Sequence, residues 1–270
     1  MLSKNYFTFP FYVPRIFGLC VNWHEYLFNY LSRGNHPAEY RMRNGIRLVD
    51  DMGELAGTMA VVFVRREYGP IEDCRTIVDI GAHLGTFAVY ASQSSPDALI
   101  YCYEPERRNF DLLKHNIGLN KLKGRVHAFH CAVGASEGTR DLAVGSSLSN
   151  SFHVVPEPVN HQTVRCTTLK EIVESHRLDT IDLLKMNCEG AEYEILESCS
   201  DSEFKRIRNI RLEYHNLKTP ERTGESLSRF LTKKGYRIER FSRYLNTSGF
   251  IWAARLILLA LLPEVPDFAT

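Results

Sequence analysis

The chain has 270 residues, of which 44% are hydrophobic and 24% are charged, and its formal net charge is +1. This charge argues against the broad basic surface that binds nucleic acid, and the ordinary glycine and proline content excludes collagen-like and low-complexity classes. Seven widely spaced cysteines without a Cys-x-x-Cys pair exclude a zinc ribbon and argue against a disulfide framework, so we expect a cytoplasmic location.

The N-terminal segment, residues 1–70, is unusually aromatic and is predicted to be an appendage to the main domain. Pro10, Pro14 and Arg15 interrupt its apolar stretch, which argues against a signal peptide. Neither this segment nor the apolar C-terminal tail, residues 256–270, has the roughly 20 apolar residues that a membrane span needs. Peripheral membrane contact and a homodimer formed through either end stay open as alternatives.

Five short apolar runs, rich in Val, Ile, Leu and Tyr, are typical of buried strands. They lie at 76–80, 98–103, 126–133, 181–186 and 210–214. Helical patterns lie at 87–92, 107–119, 169–173, 193–196 and 225–234. This alternation predicts an α/β fold in residues 71–255, with a Rossmann-like, mostly parallel central sheet and helices on both faces.

The interval between the third and fourth runs is much longer than the others, and its surplus lies around residues 134–165. We interpret the surplus as an insertion near the carboxyl edge of the sheet. A lid or substrate wall is one reading of it, and a solvated loop or an extra hairpin is the other.

The first predicted strand runs into two glycines four residues apart, Gly81 and Gly85, and a helical pattern follows. Such a turn lets a ligand approach backbone N–H groups at the start of a helix. Glu104 ends the next run, where its carboxylate is placed to accept both hydroxyls of a ribose. A dinucleotide fingerprint needs glycine at position 83, where His83 would obstruct a pyrophosphate. The pattern therefore favours S-adenosylmethionine over a nicotinamide dinucleotide.

Four blocks, in this order, resemble the FkbM family of S-adenosylmethionine-dependent methyltransferases. They are Val78-Asp-Ile-Gly-Ala-His-Leu-Gly-Thr86, then Tyr103-Glu-Pro-Glu-Arg-Arg-Asn-Phe110 with Asn116-Ile-Gly-Leu-Asn120, then Ile181-Asp-Leu-Leu-Lys-Met-Asn-Cys-Glu-Gly-Ala-Glu192, and Leu212-Glu-Tyr-His215. The third block is similar to the family's K-x-D-x-E-G-x-E pattern, with Asn187 in place of the usual Asp. The resemblance implies the class I methyltransferase fold and methyl transfer from S-adenosylmethionine.

Residues at the ends of the predicted strands are the ones to examine, because ligands of open α/β sheets bind beyond the carboxyl ends of the strands. The predicted cofactor-binding residues are Asp79, Gly81, Ala82, His83, Gly85, Thr86, Glu104, Pro105, Ala132 and Val133. The predicted catalytic residues are Glu189, His215 and Asn187. Lys185, inside an apolar run, is expected to snorkel or to pair with an acid such as Glu213.

Methyl transfer to a sugar-type hydroxyl requires that the hydroxyl lose its proton, and a general base contributes roughly 10²–10⁴-fold to such a step. Glu189 and His215 are the candidates, with His215 slightly favoured because a neutral imidazole is available near pH 7. No metal site is predicted. A magnesium ion held by the polar strand-end residues stays open as an alternative.

The FkbM resemblance implies an O-methyltransferase for a hydroxyl of a sugar, a glycan or a natural product. The expected partner is therefore a small-molecule or glycan acceptor. Two alternatives are a nicotinamide-dependent oxidoreductase, which His83 disfavours, and a catalytically silent scaffold that only binds the cofactor.

Overall fold

The computed structural model describes residues 5–32, 36–144, 160–217, 219, 221–244 and 247–256. The chain begins with two helices and a two-stranded hairpin. These elements are α1 (Asn5–Leu19), α2 (Trp23–Ser32), β1 (Ala38–Arg41) and β2 (Arg47–Asp50). Helix α3 (Leu55–Met59) follows and continues directly as a π-helical turn over Ala60–Val64. We call residues 55–64 the crossing helix.

The rest of the described chain alternates strands and helices. Its strands are β3 (Thr76–Ile80), β4 (Leu99–Glu104), β5 (Val126–His130), β6 (Ala132–Val133), β7 (Gly138–Val144), β8 (Asn160–Thr167), β9 (Ile181–Met186), β10 (Ile207–His215), β11 (Tyr236–Phe241) and β12 (Ser248–Arg255). Its helices are α4 (Thr86–Ser94), α5 (Arg107–Leu119), α6 (Leu169–Ser175), α7 (Glu192–Ser198), α8 (Asp201–Arg206) and α9 (Gly224–Lys233).

Seven of these strands form the central sheet, in the order β11-β12-β10-β9-β3-β4-β5. The five strands from β10 to β5 are parallel to one another, whereas β12 pairs antiparallel with both β10 and β11. Parallel strands bring their carboxyl ends to one edge of the sheet. The α/β class and the mostly parallel sheet predicted from the sequence are confirmed.

Alternate residues of the strands point to two separate hydrophobic cores, as the two-residue period of a strand requires. Ile77 and Ile100 belong to the core that α4 and α5 cover, while Val78 and Ile80 belong to the core that α6, α7 and α9 cover. The predicted helices on both faces are therefore confirmed.

The N-terminal elements pack on the first of these cores. Tyr26, Tyr40 and Leu48 are fully buried in the same cluster as Ile77 and Ile100. This packing brings the crossing helix to the carboxyl edge of the sheet. The division of the chain near residue 70 into an N-terminal appendage and a main domain stays a prediction.

The long interval of the sequence holds a hairpin. Strands β7 and β8 pair antiparallel, and β6 joins β8 in a separate three-stranded sheet. This agrees with the hairpin alternative. Residues 145–159, between the two strands, lie outside the described residues.

The C-terminal tail predicted at 256–270 lies outside the described residues except for Leu256, which is 57% exposed. Within the described part of the chain, no helix is both long enough and apolar enough to cross a membrane.

A buried ion pair joins the two central strands. Asp79 of β3 and Lys185 of β9 are register partners, and the Lys185 Nζ lies 2.8 Å from Oδ1 of Asp79. The same Nζ donates a hydrogen bond of 2.7 Å to the carbonyl oxygen of Gly81. It also lies within 5.6 Å of the ring centres of Tyr68 and Phe87. The acid that pairs with Lys185 is thus Asp79, not Glu213 as the sequence suggested.

Removal of Lys185 tests this pair. Lys185→Met should lower the free energy of unfolding by about 3–5 kcal/mol, because it leaves the Asp79 carboxylate buried without a cation. The double variant Asp79→Asn with Lys185→Met should lose less than the single variant. Urea denaturation of the parent, both single variants and the double variant measures the coupling, and a Lys185→Met protein within about 1 kcal/mol of the parent would contradict the assignment.

Candidate active site

A cavity of about 460 Å³ opens at the carboxyl edge of the central sheet. Its wall includes the loop after β3, the ends of β4, β9 and β10, and the crossing helix, together with Tyr30 of α2 and both residues of β6. Of the residues predicted for the site, the cavity wall includes Gly81, Ala82, His83, Thr86, Glu104, Pro105, Ala132, Val133, Asn187, Glu189 and His215. The cavity is within the size range of small-molecule binding sites.

Two predicted residues, Asp79 and Gly85, support the cavity without lining it. Asp79 has no exposed side-chain surface and holds Lys185 in place beneath the loop. Gly85 precedes α4 with φ 82°, and a Cβ there would lie 2.7 Å from Cδ1 of Leu113. Gly85 is therefore needed for the turn and for close packing of α4 on α5.

Gly81 is needed because the ends of β3 and β9 approach each other closely. Its φ is +75°, and a Cβ at this position would lie 1.9 Å from the carbonyl oxygen of Asn187. The N–H groups of Gly81 and Ala82 donate to the carbonyl oxygen of Tyr103. These two N–H groups are thus paired within the protein, so the loop contributes its shape rather than free donors.

Glu104 is a buried carboxylate at the end of β4, with 5% of its surface exposed. Its Oε2 accepts a hydrogen bond of 2.7 Å from the backbone N–H of His83, and its Oε1 accepts one from Glu106. Burial raises its pKa, although His83 opposes the shift. Each carboxylate oxygen keeps a further lone pair, so Glu104 can accept the two hydroxyls of a ribose while it holds the loop.

A polar network that the sequence did not indicate joins the loop to the crossing helix. The Nε2 of His83 lies 3.0 Å from Oε2 of Glu54, which also lies 3.5 Å from Nη1 of Arg108. Arg108 pairs in addition with Asp50 at 2.9 Å and with Asp51. The hydrogen bond from His83 is the main cause that lowers the pKa of Glu54. The partners are far apart in the sequence, so no local motif could reveal them.

The ends of β9 and β10 bring a second polar cluster to the cavity. The His215 Nε2 lies 3.5 Å from Oε2 of Glu189, and its Nδ1 lies 3.4 Å from Oε1 of Glu192. Asn187 donates a hydrogen bond of 3.1 Å to Oε2 of Glu213. We call these five residues the acid–base cluster. Glu189 has a φ of +52°, a backbone conformation that non-glycine residues rarely adopt and that is often found at functional sites.

The cluster determines the protonation state of His215. Burial alone lowers the His215 pKa, but the carboxylates of Glu192, Glu189 and Glu213 outweigh burial and raise the pKa to about 9. Burial also raises the pKa of Glu189, and it raises that of Glu213 to about 7. His215 is therefore an imidazolium near pH 7, which reverses the expectation of a neutral imidazole.

Among the described residues, no group of three or more His, Cys, Asp and Glu side chains has an arrangement that could hold a metal ion. The magnesium alternative thus gains no support from the acid–base cluster, where Asn187 contributes an amide that donates to Glu213.

The strand order, in which the antiparallel strand β12 lies between β10 and β11, is that of the class I methyltransferases. A family model described as "Methyltransferase FkbM domain" matches residues 79–238, which is more than half of the chain. The chain belongs to the FkbM methyltransferase family. It is a methyltransferase that uses S-adenosylmethionine.

Three curated relatives are similar to this chain in sequence. Methyltransferase sdnD of Sordaria araneosa is 29% identical over 61% of this chain and 74% of its own. The 31-O-demethyl-FK506 methyltransferase FkbM of Streptomyces tacrolimicus is 22% identical over 52% of this chain and 65% of its own. The hexuronic acid methyltransferase AglP of Haloferax volcanii is 23% identical over 65% of this chain and 70% of its own.

The cavity fits S-adenosylmethionine at the end near β4. Glu104 supplies a buried carboxylate with free lone pairs, and Ala132 and Val133 supply an apolar wall after β5. At position 83, where a dinucleotide site needs glycine, the side chain of His83 is fixed against Glu54.

Glu104→Gln tests the cofactor end. This change removes the negative charge but keeps the shape, and each charge-assisted hydrogen bond contributes about 1.5–3 kcal/mol. We expect the affinity for S-adenosylmethionine, measured by titration calorimetry, to fall at least about tenfold. Glu174→Gln, on the exposed surface of α6, is the control and should leave the affinity unchanged. Equal affinities of parent and Glu104→Gln would refute the role of Glu104.

Stability as a function of pH tests the charge state of His215. Because its pKa is raised from 6.5 to about 9, the folded protein binds more protons than the unfolded chain between these values. The free energy of unfolding should therefore fall as pH rises from 6.5 to 9, with roughly 2–3 kcal/mol due to His215. His215→Gln should reduce this decline in chemical denaturation, whereas His24→Gln, at an exposed position, should not. An unchanged decline in His215→Gln would contradict the raised pKa.

Proposed function

We propose that the protein transfers the methyl group of S-adenosylmethionine to a hydroxyl oxygen of a sugar, a glycan or another natural product. The observation that carries the proposal is the position of the acid–base cluster. Asn187, Glu189, Glu213 and His215 line the same cavity as Glu104 and the loop after β3. An acceptor bound at the cluster would thus share one enclosed space with the cofactor.

S-adenosylmethionine, when bound, supplies an electrophilic methyl group on a positively charged sulfur. The residues of the protein must then orient the acceptor and remove its proton as the new carbon–oxygen bond forms and the carbon–sulfur bond breaks. Positioning contributes much of the rate of such a transfer, and a general base adds to it.

We assign the general base to Glu189. Its side chain lines the cavity, and burial raises its pKa, which makes its carboxylate a better proton acceptor than that of an exposed glutamate. His215 lies 3.5 Å away as a cation, so it orients this carboxylate and balances the charge of the cluster. His215 is a positioning residue in this scheme.

The neutral side chain of Asn187 suits its position in the cluster. Its amide donates to Glu213, whereas an aspartate there would place a second carboxylate about 3 Å from the first. The cluster already contains the carboxyl groups of Glu189, Glu192 and Glu213, so a neutral side chain at 187 limits the repulsion between them. We propose that Asn187 fixes Glu213 and the floor of the acceptor site.

The acceptor class is supported by the relatives. One of them is named for 31-O-demethyl-FK506 and another for hexuronic acid. The names of similar proteins thus include both a natural product and a sugar acid.

An acceptor screen tests the class. Protein is incubated with methyl-labelled S-adenosylmethionine and panels of sugars, glycans and hydroxylated natural products, and the products are identified by mass spectrometry. Labelled ethers support the proposal. Transfer only to nitrogen or sulfur, or binding of S-adenosylmethionine without transfer to any acceptor, would contradict it, and the second result would favour the silent scaffold.

Glu189→Gln tests the general base. With an acceptor from the screen, kcat should fall about 10²–10⁴-fold, because the amide cannot take the hydroxyl proton. The affinity for S-adenosylmethionine should stay within a factor of about three of the parent. Glu197→Gln, a half-exposed position on α7, is the matched control and should keep full turnover. Full turnover in Glu189→Gln would show that Glu189 is not the base.

The cytoplasmic location is a proposal that rests on the cysteines. All seven are free, and five of them are buried as small apolar side chains. Such a pattern is usual for proteins of reducing compartments. Homodimerisation and peripheral membrane contact stay predictions.

A further inference from the structure

The crossing helix spans the cavity from its cofactor end to its other end. It begins beside Glu54, which contacts His83 of the loop after β3, and it ends at Arg65. Ten helical residues cover about 15 Å. Arg65 lies over the ring of Tyr244, at 5.7 Å from the ring centre, next to the start of β12.

This position separates Arg65 from the cofactor end. Glu104 ends β4, whereas Tyr244 leads into β12, and three strands lie between β4 and β12 in the sheet. Adjacent strands are about 4.8 Å apart, so β4 and β12 are about 19 Å apart. His215 ends β10, which is next to β12, and Glu189 follows β9, which lies midway between β4 and β12. Arg65, beside Tyr244, therefore lies beyond the acid–base cluster from the cofactor end, where we place the acceptor.

The other basic side chains of the described cavity wall already have close carboxylate partners. Lys185 pairs with Asp79 at 2.8 Å, His83 contacts Glu54 at 3.0 Å, and His215 lies 3.4 Å from Glu192. These contacts hold the cavity wall together.

Arg65 differs from them. Its side chain is 16% exposed, and its nearest carboxylate is Glu67, with Nε 3.7 Å from Oε1. Glu67 already accepts a hydrogen bond of 2.6 Å from Arg240 and another from the hydroxyl of Tyr244. The Nε of Arg65 is buried without a hydrogen-bond partner.

A guanidinium presents five N–H donors in a planar fork that matches a carboxylate, and unpaired donors in a largely buried site are costly. We propose that Arg65 binds a carboxylate of the acceptor, so that the preferred acceptor is a hydroxy acid such as a uronic acid. This inference rests on the proposed hydroxyl methylation. The carboxylate lies at Arg65, and the reacting hydroxyl lies at Glu189.

Matched acceptor pairs test the subsite. The pairs are methyl glucuronoside with methyl glucoside, methyl galacturonoside with methyl galactoside, and 3-hydroxybenzoate with 3-hydroxybenzamide. For each we would measure kcat/KM for transfer of a labelled methyl group, and calorimetric binding to protein loaded with S-adenosylhomocysteine. In at least one pair, the carboxylate member should be favoured at least about tenfold in turnover or in binding.

Arg65→Gln should reduce this preference to within about twofold and leave the affinity for S-adenosylhomocysteine unchanged. The control is Arg240→Gln, which removes another partner of Glu67 but lies outside the described cavity lining, and it should keep the preference. Equal loss in both variants would show that Arg65 acts only by supporting Glu67 and would overturn the proposal.

Three further outcomes separate the subsite from the reaction. Ether products formed without carboxylate preference, or a weaker affinity for S-adenosylhomocysteine in Arg65→Gln, would overturn the Arg65 subsite and leave hydroxyl methylation standing. A methyl ester as the product would overturn both, because the carboxylate would then occupy the reacting position.

Discussion

The site depends on one buried ion pair between the central strands. Lys185 of β9 is held by Asp79 of β3 and in turn holds the carbonyl oxygen of Gly81. The turn at Gly81 then passes so close to Asn187 that no side chain fits. Because a single lysine joins β3, β9 and the loop between β3 and α4, the cofactor loop and the first residue of the acid–base cluster are fixed by the same contact.

Charge is distributed unevenly within the cavity. Carboxyl groups lie at both the cofactor end and the centre, and those of Glu192, Glu189 and Glu213 raise the pKa of His215 to about 9. A neutral residue at 187 fits this distribution, since a further carboxylate would need a further cation. The near-zero net charge of the chain gives no indication of these local charges. The structure shows that the carboxylate nearest to Arg65, that of Glu67, is 3.7 Å from its Nε.

Local sequence patterns predicted most strands and helices of the main domain, because the spacing of apolar residues within one strand or helix reflects which of its faces is buried. The strands at 76–80 and 181–186 and the helix at 107–119 match β3, β9 and α5. The run at 126–133 was predicted as one strand, but it ends at His130 and restarts as β6 in another sheet. That change of partner depends on β8, more than 25 residues later, so no local pattern could reveal it. The roles of Glu54 and Arg65 were missed for the same reason, since their contacts lie far along the chain.

A structure of the protein bound to S-adenosylhomocysteine would test the central claim, that one cavity holds both the cofactor and the acid–base cluster. We expect the two ribose hydroxyls within about 2.6–3.2 Å of the Glu104 carboxylate and the sulfur directed towards Glu189, with Arg65 clear of the ligand. A ribose bound away from Glu104, or a cofactor carboxylate bound to Arg65, would contradict this account.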